Sequence, residues 1–110
     1  MTTRIKLAVL TTLLFSGLTL HAQELSQTIR GTVIDQVSQI PLPGANVILL
    51  NTNPILGVTT DIDGQFKINK VPVGTHAIKV SFIGYKELTL PNIIVNSGKE
   101  VVLSIAIEED

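Results

Sequence analysis

From Thr28 onward, apolar and polar residues alternate with a period of two. In "QTIRGTVID", Ile29, Gly31 and Val33 share one face, and Arg30, Thr32 and Ile34 share the other. In "ANVILL", Ala45, Val47 and Leu49 alternate with Asn46, Ile48 and Leu50. "GQFKIN" sets Phe66 and Ile68 against Lys67 and Asn69, and "THAIKVSFI" sets His76, Ile78, Val80 and Phe82 against Ala77, Lys79, Ser81 and Ile83. "EVVLSIAIE" closes the series with Val101, Leu103, Ile105 and Ile107 opposite Val102, Ser104 and Ala106. Such alternation puts one face of a strand in a core and the other toward water. No helical repeat follows Gln23. Turn signals punctuate the strands: "PLPG", "NTNP", "DIDG", "VPVG", "LPN" and "NSG". Glycine and asparagine tolerate positive φ, and proline cannot donate to a ladder. The pattern predicts an all-β, antiparallel sandwich of about seven strands in two sheets.

The first residues break this period. "MTTRIK" carries Arg4 and Lys6, the run Leu7 to Leu20 is uncharged and apolar, and Ala22 is a small residue suited to cleavage. A basic head, an apolar middle and a small residue before the cut predict a secretory signal peptide over residues 1–22. Leu20, third before that cut, is larger than the usual residue there. The competing reading is an uncleaved anchor. A spanning helix needs about 20 apolar residues, whereas this run is shorter and is interrupted by Ser16 and Gly17. The domain is therefore expected over residues 23–110, exported, with no bilayer-spanning segment of its own.

Charge narrows the partners. The 110-residue chain has a formal charge of −1, and from Gln23 onward six basic residues stand against nine acidic ones, a net −3. Nothing here would neutralise a run of phosphates, so nucleic-acid binding is disfavoured. There is no polybasic cluster to hold an anionic membrane surface. Cysteine is absent, so the domain has neither disulfides nor thiol chemistry and must rest on its core.

The candidates for chemistry are few. "DIDG" places Asp61 and Asp63 directly before Gly64. A calcium loop of the EF-hand type needs its glycine at the sixth position and a distant bidentate glutamate; here the glycine is fourth and no such glutamate follows. As a catalytic carboxylate pair, the two aspartates lie on an open turn where nothing would split their pKa values. Asp-Gly is also a favoured hairpin turn, in which Asp61 caps nearby amides and Phe66 points inward. His76 is the one histidine after the leader, too few for a zinc site, and reads as a core-edge residue. Ser81 and Ser104 have no His/Asp partners close in sequence for a triad. Tyr85, after "FIG", fits a corner tyrosine bonded to backbone, or an exposed aromatic contact. No catalytic, cofactor-binding or metal-binding residue is expected.

Read in order, "GTVID", "PLPGANVIL", "GVTTDIDGQFKI", "VPVGTHAIKVSFIGY" and "VVLSIAI" resemble the carboxypeptidase-regulatory-like domain, a transthyretin-like sandwich. The resemblance runs from about Thr28 to Ile107. It implies a seven- to eight-stranded antiparallel β-sandwich of the carbohydrate binding-like type, without catalysis of its own. The His-x-x-Glu of metallocarboxypeptidases has no counterpart. The histidines and C-terminal Tyr-Arg-Gly-Ser of hydroxyisourate hydrolases are absent, since this chain ends "IEED". Many TonB-dependent, SusC-like outer-membrane receptors carry such a domain directly after the signal peptide. That resemblance, with the order leader then "TIRGTVID", implies a place in the periplasm or at the periplasmic face of the outer membrane, a protein partner in the envelope and a role in nutrient uptake, as a receptor N-terminus or a free-standing periplasmic module. The alternative is an accessory domain of a secreted carboxypeptidase or glycan-acting enzyme.

Overall fold

The structure, a computed structural model, describes residues 25–110; the expected signal peptide lies outside the described residues. The alternating segments become seven strands: β1 (Ser26–Asp35), β2 (Asn46–Leu50), β3 (Leu56–Thr59), β4 (Gln65–Pro72), β5 (Gly74–Ser81), β6 (Leu88–Val95) and β7 (Val101–Ile107). They form a three-stranded sheet ordered β4-β1-β7 and a four-stranded sheet ordered β3-β2-β5-β6. The faces are those the alternation predicts. Ile29 and Val33 of β1, Val47 and Leu49 of β2, Ile78 and Val80 of β5, and Ile105 and Ile107 of β7 are buried between the sheets. Each such side chain contributes about 1.5–3 kcal/mol on leaving water, which is how a cysteine-free domain of this size holds together.

Three expectations are corrected. First, one pair is parallel: β1 and β7 run together from Ile29 opposite Val101 to Asp35 opposite Ile107. A parallel pair needs a long connection, and here strands β2 to β6 supply it. Alternation within a segment carries no information on the direction of its neighbour.

Second, "DIDG" is not the turn of a hairpin. β3 pairs with β2 in one sheet, and β4 pairs with β1 in the other. The turn is an arch that carries the chain across the core. Its own chemistry is as expected: Asp61 Oδ1 accepts from the Asp63 and Gln65 amides, each at 2.9 Å, and Gly64 takes φ 72°. What differs is the commitment of its flanks. The Thr60 amide donates to Ala45 O at 2.9 Å, while Gly64 O accepts from the Val33 amide at 2.8 Å.

Third, "LPN" does not separate two strands. Leu90, Pro91 and Asn92 lie inside β6. Ile78 faces Leu90 and His76 faces Ile93, so the register slips by one residue there, and Asn92 adopts φ 58°. β6 is an edge strand, which is where a proline and a bulge are tolerated.

Gly31 settles the middle of the three-stranded sheet. It lies between Phe66 on β4 and Leu103 on β7. A Cβ at this position would meet the Leu103 carbonyl oxygen and come within 2.9 Å of Phe66 Cζ. The glycine thus clears the space that the Phe66 ring uses to reach the core.

Candidate interaction surface

β1, β3, β5 and β7 all run toward one end of the sandwich, as their registers with the antiparallel strands show. Three connections gather at that end: 36–45 after β1, 60–64 after β3, and 82–87 after β5. They are bonded to one another. Gly44 N donates to Thr60 O at 3.0 Å, and Ala45 N donates to Thr60 Oγ1 at 2.9 Å. The Thr60 hydroxyl in turn donates to Leu42 O, so a buried threonine joins the first two connections. Leu42 itself is buried beneath them.

Asp35, at the end of β1, is the second joint. Its Oδ1 accepts from the amides of Val37 at 2.9 Å and Ser38 at 2.8 Å, which starts the 36–45 connection in an Asx turn. Its Oδ2 accepts from the Tyr85 hydroxyl at 2.6 Å, which ties in the 82–87 connection. Tyr85 is therefore a corner tyrosine whose partner is a carboxylate rather than backbone. The Tyr85 hydroxyl, then the Ser38 amide, hold the Asp35 carboxyl down at about 2; desolvation opposes them, and the Val37 amide and the Ser38 side chain add smaller effects in the lowering direction. The same hydrogen bond, with desolvation and the charges of Asp35 and Glu109, pushes Tyr85 up to about 12. Phe82 packs on Tyr85 with ring centroids 5.5 Å apart. The last residues of the chain complete this end: Lys86 N donates to Glu108 O at 2.9 Å and Asp110 N to Gly84 O at 2.8 Å.

This braced end exposes aliphatic side chains among polar and charged ones. Val37 is 89% exposed, Ile40 61%, Ile62 85% and Ile83 95%. Each is at or near the crest of a connection. Among the described residues the ion pairs are Arg30–Glu100, Lys79–Glu87 and Lys86–Glu108, so Asp61, Asp63, Glu109 and Asp110, which also lie at this end, have no cation within ion-pair distance.

The other candidates are scattered. His76 is buried on the inner face, its Nε2 hydrogen-bonded with Pro72 O at 2.6 Å and its Nδ1 without a partner. Ser81 lies opposite Asn46 on the outer face of the four-stranded sheet, and Ser104 opposite Thr32 on the outer face of the three-stranded sheet. The histidine is thus inside and the two serines are outside, on different sheets. Among the described residues no group of three or more His, Cys, Asp or Glu is placed to hold a metal ion. A trough of about 610 Å³ runs over the three-stranded sheet, lined by Arg30, Thr32, Gln65, Lys67, Val102 and Ser104 among others. It contains no exposed aromatic ring. Of the aromatic residues described, Phe66 is in the core, and Phe82 and Tyr85 pack against it and each other.

Sequence reading named Tyr85 but missed Asp35 and Thr60. The signal for Asp35 was present: an aspartate closing a strand, followed by "QVS", suits an Asx turn. Nothing local distinguishes Thr60 from Thr59, its neighbour in "TTD".

Comparison with known proteins bears on the whole of this domain. The family model of the carboxypeptidase regulatory-like domain matches residues 28–108. No curated protein matches the sequence. Similar folds occur in a type II cohesin–X–dockerin complex from Acetivibrio cellulolyticus (TM-score 0.61, 23% identity, 74% of this chain and 56% of that one). A putative carbohydrate binding protein from Bacteroides uniformis is also similar (TM-score 0.61, 14% identity, 74% and 41%). So is catechol 1,2-dioxygenase from Acinetobacter (TM-score 0.64, 14% identity, 83% and 55%). The chain spans about half the length of the solved chains it matches, and at these identities the likeness is one of fold. Among the described residues no helix is long and apolar enough to cross a membrane.

Proposed function

The chain belongs to the carboxypeptidase regulatory-like domain family, and from that premise we propose that it is a non-catalytic interaction domain, exported to the periplasm, that serves an outer-membrane receptor of the TonB-dependent, SusC-like type. The observation that carries this reading is the braced end of the sandwich. Three connections are held by Asp35, Thr60 and Tyr85, yet they expose aliphatic side chains instead of an assembled nucleophile and base. Rigid loops that present apolar tips suit the recognition of another protein. Sugar recognition by ring stacking would need an aromatic platform, which neither sheet face offers among the described residues. The basic, apolar and small-residue order of the leader supports export, and a domain placed directly after it matches the receptor architecture.

The test is the location and size of the native product. Envelope fractionation with intact-mass measurement is expected to find this sequence in the outer-membrane fraction, at the N-terminus of a larger polypeptide or co-purifying with a receptor. A soluble species that fractionates away from every receptor, and whose deletion leaves nutrient uptake unchanged, would overturn the reading.

A further inference from the structure

The family assignment leaves the docking face and the kind of partner open. We propose that the Asp35 end of the sandwich is the docking face, and that its occupant is a segment of a partner protein carrying aliphatic side chains flanked by lysine or arginine. This rests on the interaction-domain reading above and specifies its surface.

Two independent features coincide at this end. The first is exposure: Val37, Ile62 and Ile83 are at least 85% exposed, and Ile40 is 61% exposed. Exposed aliphatics occur at the opposite end as well, at Leu25, Ile55 and Val73, and singly they are ordinary; what sets the Asp35 end apart is that its tips stand on cross-bonded connections beside exposed carboxylates. They are not loose ends. The connections that carry them are bonded through Thr60, Asp35 and Tyr85, so little ordering entropy would be lost on binding.

The second feature is charge, which selects the occupant. Asp61, Asp63, Glu109 and Asp110 lie at this end without a contacting cation among the described residues, and Lys86 there is already paired with Glu108. Of the lysines outside the ion pairs, Lys67 is the nearest, two residues past the start of β4 and lining the same trough as Asp61, whereas Lys70 lies farther along β4 and Lys99 is in the β6–β7 connection at the opposite end. The domain is therefore electrically polarised, with apolar tips in the acidic field. An anionic lipid surface would be repelled by these carboxylates. A second copy meeting the same end would bring like charges together. A basic, aliphatic segment satisfies both the apolar tips and the charge around them.

Photo-cross-linking in the native cells tests this. A photoreactive, apolar residue is placed in the full chain at Ile62 or Ile83. It is placed in parallel at Ile94, 71% exposed on β6, or at Val102, 58% exposed on β7. The adducts are sequenced by mass spectrometry. The expected result is adducts from the Ile62 and Ile83 sites on a peptide that holds lysine or arginine beside aliphatic residues, with at least tenfold less from Ile94 and Val102. Adding Asp61→Asn with Asp63→Asn is expected to lower the yield severalfold, and the loss is expected to shrink at high salt. Adducts mainly from Ile94 or Val102, adducts to lipid, to a second copy or to a segment without basic residues, or no adduct at any site, would each overturn the proposal. Fractionation separates this failure from failure of the receptor reading. Protein found with the receptor but not cross-linked through this end loses only the docking face. Protein found apart from every receptor loses the reading on which the proposal rests.

Discussion

The two ends of the sandwich are built on opposite plans. At the Asp35 end the connections bond to one another: Thr60 to Ala45 and Leu42, Tyr85 to Asp35, and Asp110 to Gly84. At the opposite end the connections mostly bond within themselves. Thr52 Oγ1 closes 51–55 by meeting Leu49 O and the Leu56 amide, and Asn96 Oδ1 accepts from Gly98 N within 96–100. Gln27, which donates to the Asn96 and Ser97 carbonyls, is the side chain that reaches across. One end is a single bonded unit, and the other is joined by fewer and longer bonds, among them Val73 N to Leu25 O at 3.2 Å. The consequence is mechanical: a disturbance at the Asp35 end reaches several connections, while one at the other end stays local.

The largest contrast is expected from two glycines. At Gly64 a Cβ would stand 2.7 Å from Val33 O and 3.0 Å from Pro41 Cβ, at φ 72°. Gly64→Val combines strain at positive φ with a backbone clash and is expected to destabilise by about 3 kcal/mol or more. At Gly98 the nearest atom would be Asn96 Oδ1 at 3.7 Å. Gly98→Val is expected to stay within about 0.5 kcal/mol of the parent. Urea unfolding midpoints measure both, and equal losses would dissolve the distinction between the ends.

A smaller contrast comes from two threonines. Thr60→Val removes a buried hydroxyl and leaves the Ala45 amide and Leu42 carbonyl without it, a loss of about 2–3 kcal/mol. Thr52→Val removes longer bonds, at 3.4 and 3.2 Å, in a half-buried position. Water can replace them, and about 1 kcal/mol or less is expected.

The Asp35–Tyr85 bond makes the contrast pH-dependent. Asp35 titrates at about 2 in place of 3.8, so its contribution is complete above about 3.8 and is lost as pH falls toward 2. Tyr85 titrates at about 12 in place of 10, so its contribution is complete below about 10 and is lost as pH rises toward 12. Tyr85→Phe is expected to lower Tm near neutrality by on the order of 5 °C and to remove the alkaline loss. The acid loss is expected to shrink but persist, because the Ser38 and Val37 amides still favour the carboxylate. Thermal melts at pH 3, 7 and 11 check the three statements together.

How far the sequence foretold this organisation depends on the range of the interaction. The inward faces of β1, β2, β5 and β7 were legible because burial imposes a period of two on each strand separately. The cap that Asp61 forms was legible because its partners are two and four residues away. The sheet that receives each flank of "DIDG" was not, since Thr60 pairs with Ala45 and Gly64 with Val33, contacts that no local pattern encodes. Tyr85 could be singled out by its place at a strand end. Its partner Asp35 is fifty positions away, and only the fold brings the two together. The cluster of exposed tips was hidden for the same reason: Val37, Ile62 and Ile83 belong to three connections that are distant in sequence.

The smallest expected effect is the one that separates bracing from display. Val37 and Ile83 sit on braced connections but touch little, being 89% and 95% exposed. Leu42, on the same connection as Val37, is 8% exposed. Leu42→Ala is expected to cost about 2–5 kcal/mol. Ile83→Ser and Val37→Ser are expected to change stability by no more than about 0.5 kcal/mol. Denaturant midpoints with unchanged m-values would show that the tips contribute nothing to the fold. Their side chains would then be free to meet another molecule without cost to the fold. A loss above about 1 kcal/mol for either serine variant would place that side chain among the braces, and the Asp35 end would have no free surface to offer.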